Sequence, residues 1–268
     1  NSRGNMGEKA VVEMVENTFE LYFKSVRQQL EEDPVFLIGV IVALAVVVIT
    51  CVFVKYFLSS KTVRSAVLLV GLCDSGKTLL FSRLLSGMFK RTQTSITDSS
   101  APYKAKNDRG STWTLIDLPG HDSLRSQYLE KFKSAARAIV FVVDSAIFQK
   151  EVRDVAEFLY VLLTDSVVSR NAPTLLVACN KQDITMAKSA KLIQQQLEKE
   201  LNTLRVTRSA ALSSQDGSVG GSVYLGRKGK DFEFSQLPMK VVFLECSGGK
   251  GEDGDADIEN LEKSLAKL

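Results

Sequence analysis

The sequence predicts an α/β domain of alternating strands and helices, carried behind one apolar helix long enough to cross a bilayer. Three observations predict it. Residues 35–54 form an unbroken apolar run, and Gly71 to Thr78 is a glycine-rich loop set between a strand-like and a helix-like segment. Further apolar strand patterns near 113–117, 138–143, 175–179 and 241–244 end in short polar motifs. Such strands, apolar on both faces and separated by helical patterns, belong to a sheet covered by helices on each side.

Composition narrows the possibilities. A chain of 268 residues with 45% hydrophobic residues can bury a substantial core and is not a disordered tail. The net charge of +3 comes from 34 basic and 31 acidic residues that are interspersed, so charge gives no support for nucleic-acid binding. The four cysteines, Cys51, Cys73, Cys179 and Cys246, are too few and too scattered for a disulfide framework, which places the bulk of the chain in a reducing compartment.

The run 35–54 contains no charged residue. At about 1.5 Å per residue, roughly 20 residues make a helix of about 30 Å, the thickness of the hydrocarbon core. Most positions are Val, Ile, Leu or Phe, each favouring insertion by roughly 0.3–0.6 kcal/mol. A cleaved signal peptide would have a shorter core nearer the N-terminus and a small-residue cleavage site, whereas this run follows 34 residues and ends in Phe53-Val54-Lys55-Tyr56. Glu31, Glu32 and Asp33 precede it, while Lys55, Lys61 and Arg64 follow in a basic linker over 55–64, with Lys24 and Arg27 reducing the asymmetry. The positive side, and with it residues 65–268, is expected in the cytosol, leaving 1–34 lumenal. Within 1–34, Val12, Val15, Phe19, Tyr22, Val26 and Leu30 recur at helical spacing.

After the linker, the strand Ala66-Val67-Leu68-Leu69-Val70 leads into Gly71-Leu72-Cys73-Asp74-Ser75-Gly76-Lys77-Thr78, and a helix opens with Leu79-Leu80-Phe81. This is G-x-x-x-x-G-K-[ST] in its required strand, loop, helix setting. The two glycines permit a tight loop whose N–H groups surround phosphates, and the helix adds its positive end. Lys77 is placed to neutralise the β- and γ-phosphates and the Thr78 hydroxyl to ligate Mg²⁺.

The next motif, Asp117-Leu118-Pro119-Gly120-His121, ends a strand. A carboxylate there can hold Mg²⁺ through water, and the Gly120 N–H can sense a γ-phosphate. Asn180-Lys181-Gln182-Asp183 ends another buried strand. Asp183 can accept from N1–H and the N2 amine of guanine, an edge adenine lacks, while the Lys181 stem lies along the base. That selects GTP over ATP. After Val241-Val242-Phe243-Leu244, the backbone at Ser247 and Gly248 is placed to reach guanine O6. The ligands expected are therefore GTP or GDP with Mg²⁺. A GTP requirement reinforces the cytosolic placement of the domain.

With these four motifs in order, residues 65–268 resemble the Ras-like GTPase superfamily, and Gly-Leu-x-x-x-Gly-Lys-Thr is most similar to its Arf and Sar branch. A preceding span narrows the resemblance to the beta-subunit family of the signal recognition particle receptor, carried also by Thr92-Gln93-Thr94-Ser95. The resemblance implies a Ras-like fold with a mostly parallel six-stranded sheet and helices on both faces. It also implies an endoplasmic reticulum membrane location and a cytosolic alpha subunit docked on the GTP-bound switch regions, with the translocon or the ribosome as candidate regulators. A hydroxyl between the first helix and the next strand should complete the Mg²⁺ shell. Thr92, Thr94, Ser95 and Thr97 lie there, and the resemblance favours Thr94 or Ser95.

The departures bear on turnover. His121, the one histidine in the chain, stands where Ras-type hydrolases place a water-orienting Gln. A neutral imidazole can orient water, as Sar-type proteins also have His there, but an exposed loop residue fits the sequence equally. Pro119 fixes φ and removes an N–H before the switch glycine. Three readings follow: a GTP-gated receptor subunit, a GTP-stabilised scaffold that hydrolyses little, and a coat-recruiting GTPase of the Sar type. The full span argues against the last. Finally, 207–230 is rich in Ser, Ala and Gly and reads as a flexible insertion, with a basic cluster at 227–230.

Overall fold

The computed structural model describes residues 21, 24, 34–58, 64–89, 97–105, 110–213, 224–249 and 256–268. The chain forms two compact units, Asn1–Lys61 and Thr62–Leu268. Most of 1–33, with its amphipathic pattern, and Thr92, Gln93, Thr94 and Ser95 lie outside the described residues.

The first unit contains α1, Pro34–Leu58, 25 residues long. Val46, Val47, Val48 and Ile49 are each more than half exposed. Four consecutive residues point to all sides of a helix, so α1 has no polar face at this level. The Thr50 hydroxyl donates to the Val46 carbonyl at 2.7 Å and is satisfied within the helix. Among the described residues no helix is long and apolar enough to cross a membrane. The side chains of 34–37, 40 and 54–58 lie outside them, which leaves 41–53 as the longest continuous stretch of described side chains in α1.

The second unit is a six-stranded sheet in the order β2-β3-β1-β4-β5-β6. The strands are β1 (Ala66–Gly71), β2 (Ser99–Lys104), β3 (Thr112–Asp117), β4 (Ala136–Asp144), β5 (Thr174–Asn180) and β6 (Val241–Glu245). All neighbours are parallel except β2 and β3. Helices α2 (Lys77–Ser86), α3 (Asp122–Phe132), α4 (Phe148–Thr164), α5 (Ser166–Asn171), α6 (Ala190–Ser213) and α7 (Glu259–Ala266) connect or follow them.

Strand alternation divides the core. Leu68, Val70, Ile139, Phe141, Val143 and Val177 face one side and pack with residues of α3, α4 and α6. Val67, Leu69, Leu115, Val140, Val142 and Leu176 face the other, against Leu80 and Leu84 of α2 and Leu261 and Leu265 of α7. Because β1 and β4 are covered on both faces, all their positions but Arg137 are buried.

β2 has little sequence signature: Ser-Ser-Ala-Pro-Tyr-Lys contains a proline, and only Tyr103 is buried. It forms at the sheet edge, where the missing N–H of Pro102 costs no second ladder. The region 207–230 also departs from its expected form. α6 runs on to Ser213, 214–223 lie outside the described residues, and Leu225 is buried in the core. The cause is Arg205, which follows Ile193, Leu197 and Leu201 on the buried face of α6. Its guanidinium donates to the carbonyls of Leu225, Arg227 and Lys230 at 3.4, 3.2 and 2.6 Å, binding that segment to the helix.

Phe141 is fully buried, its ring centroid 5.4 Å from that of Phe158. Phe141→Ala should destabilise the domain by about 3–5 kcal/mol, read from urea unfolding through the fluorescence of Trp113. A change below 1 kcal/mol would mean that this face of the sheet is not close-packed.

Candidate nucleotide-binding site

Four loops meet at the C-terminal ends of the parallel strands, where α/β sheets bind ligands. The first follows β1. Gly71 (φ 148°) and Gly76 (φ 90°) adopt backbone that favours glycine, and each is also crowded. A Cβ on Gly71 would stand 2.3 Å from the Val142 carbonyl oxygen, and one on Gly76 2.3 Å from Asn180 Nδ2. Gly76 precedes α2 and has no side chain to cap it, and the N-terminal turn of a helix presents its N–H groups and positive dipole end to an anion. Ser75 is buried and its hydroxyl donates to the Leu72 carbonyl at 2.9 Å. Lys77 is buried too, and its Nζ donates to the same carbonyl at 2.6 Å. Burial holds its pKa below the ordinary lysine value, against the attraction of Asp117, Cys73 and Asp74.

The second loop leaves β3 at Asp117. The Thr78 hydroxyl donates to Asp117 Oδ2 at 2.7 Å, while Oδ1 is buried with no hydrogen-bond partner among the described residues. Burial raises the Asp117 pKa, opposed by the Thr78 hydrogen bond and Lys77. A desolvated carboxylate with an unused oxygen beside a hydroxyl suits a small hard cation. No group of three or more His, Cys, Asp or Glu side chains suited to a metal occurs among the described residues. Among the described residues Mg²⁺ would therefore depend on Thr78 and Asp117. Gly120 packs onto the phosphate loop: a Cβ there would lie 2.7 Å from Lys77 Nζ and 2.8 Å from the Cys73 nitrogen. His121 is exposed and caps α3, its Nδ1 2.9 Å from Ser123 Oγ.

The third and fourth loops are joined by Asn180. Its buried carboxamide donates from Nδ2 to the Ser75 carbonyl at 2.8 Å and accepts at Oδ1 from the Gly248 N–H at 3.2 Å. Lys181 adopts φ 66°, and its ammonium meets Asp144 Oδ2 at 2.5 Å. Ser247 donates its hydroxyl to Asp183 Oδ1 at 2.6 Å, and Asp183 Oδ2 makes no hydrogen bond among the described residues. Asn180 of the third motif thus ties together the first and the last, the second meets the first through Thr78 and Asp117, and Leu79 packs under Gly248, where an added Cβ would meet its Cδ2 at 2.8 Å.

Two contributors were missed. Asp144 ends β4 directly beside Asn180 in the parallel register and anchors Lys181; a lone acid closing an apolar strand was the available signal. Arg83, buried on α2, donates from Nε to the Gly248 carbonyl at 3.0 Å and holds the base-side loop. Beside the phosphate loop, a cavity of about 400 Å³ opens between it, the Gly120–Asp122 turn and α4, lined by Cys73, Asp74, His121, Arg125 and Glu151 among others.

Asp183→Asn should weaken GTP binding at least tenfold, since a bond to a charged acceptor contributes about 1.5–3 kcal/mol, and should shift preference toward xanthosine triphosphate. Calorimetry showing unchanged GTP affinity would remove Asp183 from the site. The thiols should also sort by burial, which pushes Cys179 up to about 12 and Cys246 further, whereas Cys73 is half-exposed. Iodoacetamide should label Cys73 in the folded domain, more slowly with GTP present, and the two buried thiols only after unfolding; mass spectrometry reads all three.

Comparison with known proteins agrees with this geometry. The family model described as "Signal recognition particle receptor beta subunit" matches residues 62–241. The signal recognition particle receptor subunit beta of Mus musculus is 65% identical over 252 residues, covering 93% of this chain and 94% of the relative. The solved structure of the mammalian SRP receptor superposes with a TM-score of 0.67 at 68% identity, over 75% of this chain and 98% of that one. The Chaetomium thermophilum SRb-GTP/SRX complex shares the fold, with a TM-score of 0.59 at 22% identity over 77% of this chain and 99% of the other. Convergent loops on a Ras-like sheet and a match along nearly the whole chain lead to one conclusion: it belongs to the signal recognition particle receptor beta subunit family.

Proposed function

We propose that the chain is a membrane-anchored, GTP-binding receptor subunit whose nucleotide state controls docking of the alpha subunit at the endoplasmic reticulum during co-translational targeting. The observation that carries the nucleotide reading is Asn180. One buried carboxamide ties the phosphate loop to the loop expected at the base, so phosphate and guanine subsites form a single rigid unit. The fungal relative described as SRb-GTP/SRX supports a GTP-bound form in complex with a partner. Thr78 and Asp117 would hold Mg²⁺, with a hydroxyl of 92–97 completing its shell. When bound, the ion neutralises phosphate charge. Gly120, seated against Lys77, is placed to report whether a γ-phosphate is present.

The anchor is α1. Its 25 residues extend about 37 Å, enough for a hydrocarbon core of about 30 Å. Large apolar side chains on every side demand an apolar solvent, and the internal bond of Thr50 suits one. Residues 1–34 are then lumenal and 65–268 cytosolic. Turnover by the chain alone is expected to be slow, because Ser123 engages His121 Nδ1 and leaves Nε2 as the one ring nitrogen to orient water.

A partner that reads the GTP-ordered switches must strengthen GTP binding by the same factor. Lys77→Ala or Thr78→Ala should therefore weaken alpha-subunit association at least tenfold, about 1.4 kcal/mol, while leaving the protein in the carbonate-resistant membrane fraction. Equal affinities of the GTP, GDP and nucleotide-free forms would show that nucleotide does not gate docking and would favour the scaffold reading.

A further inference from the structure

The sheet brings one set of strand ends to the edge opposite the nucleotide site. Ala66 lies beside Thr114 and Ala136, Ala138 beside Thr174, and Leu175 beside Val241. Antiparallel β2 brings its last residue, Lys104, to this same edge, opposite Thr112. Arg170 lies near the end of α5, just before β5, and Lys240 immediately before β6. α6 starts beside the far end of β6, where the Ala190 N–H bonds the Glu245 carboxylate. Arg205 is about 22 Å further along the helix, a distance exceeding the length of β6. Arg205 therefore fastens Leu225, Arg227 and Lys230 toward the edge where β6 begins.

Lys104, Arg170, Arg227, Lys228, Lys230 and Lys240 are all exposed, and none forms an ion pair among the described residues. Of the acids nearby, Asp165 and Glu130 pair with Lys133; Asp231 and Glu233 accept from the neutral Asn202 and Ser235 and keep their charge, and the six basic side chains outnumber them. The nucleotide end has the opposite character, with Asp74, Glu151 and Asp154 around its cavity.

We propose that this basic edge is a docking surface for anionic lipid headgroups of the bilayer that α1 crosses. The inference rests on the spanning reading of α1. Seven residues, 59–65, separate Leu58 of α1 from Ala66 of β1. Fully extended, they reach at most about 25 Å, so the edge where β1 begins is tethered near the membrane at high effective concentration. The charges come from separate elements, β2, α5, the 227–230 segment and the residue before β6, at the edge where the chain arrives from α1, which favours the lipid surface that α1 enters over a nucleic-acid strand. Docking here turns the acidic nucleotide end away from the headgroups, toward a cytosolic partner.

The test uses the full chain in nanodiscs of phosphatidylcholine alone or with roughly one-third phosphatidylserine. Hydrogen exchange of 224–240 should slow in the anionic discs at low salt, and the difference should disappear in high salt. It should also disappear in the triple variant Arg227→Ser, Lys228→Ser, Lys230→Ser, which should still bind GTP normally, and return in Arg227→Lys, Lys228→Arg, Lys230→Arg. Each basic residue removed should weaken the lipid contact about fivefold. Equal exchange in both discs would overturn the proposal while leaving the anchor intact, as would protection by added RNA or alpha subunit but not by lipid. A chain that alkaline carbonate extracts from membranes would instead remove the spanning reading, and this inference with it.

Discussion

The carboxamide of Asn180 is cut off from water at the point where three loops meet, so its donor and its acceptor must both be bonded within the protein. Leaving either unpaired would cost about 1–3 kcal/mol. The donor takes the carbonyl of Ser75 and the acceptor takes the N–H of Gly248. Segments more than 60 residues apart in sequence are thereby held in one geometry. The neighbouring glycine is a consequence: with Nδ2 where it is, a Cβ at position 76 would overlap it. The phosphate loop keeps its shape because the base-side loops define one of its walls.

Burial also sets the electrostatics. Lys77 and Asp117 are both largely withdrawn from water, and burial shifts each toward its neutral form. Their mutual attraction opposes both shifts but does not cancel them. Sites that hold charge poorly in isolation gain most from a ligand that brings compensating charge, and a nucleotide polyphosphate with a divalent cation brings both signs. Away from the site, the buried Arg205 donates from its guanidinium to three backbone carbonyls and ties the segment 225–230 to α6.

Much of this was legible in the residue order. The strands β1, β4 and β5 are apolar runs of the right length, and β1, β3 and β5 each end in a motif whose side chains have specific chemistry: the phosphate-loop glycines and Lys77, Asp117 with Gly120, Asn180 with Asp183. Helical spacing of Ile193, Leu197 and Leu201 marked the buried face of α6. These features are local, because period and spacing are properties of neighbouring residues. The family resemblance rested on the same motifs.

What only the tertiary structure decided were pairings between distant positions. β2 forms because β3 offers an edge, not because Ser-Ser-Ala-Pro-Tyr-Lys prefers a strand. The Lys181 ammonium finds Asp144, since parallel register sets Asp144 beside Asn180. Arg83 reaches the Gly248 carbonyl across 165 positions, and Lys104, Arg170 and Lys240 collect at one edge only because strand direction puts them there. The length and apolarity of α1 and the four motifs were set by sequence. Which atoms meet, which acids are neutralised and which charges stay exposed depended on how the sheet is ordered, because hydrogen bonding and desolvation act between residues that the chain separates and the fold unites.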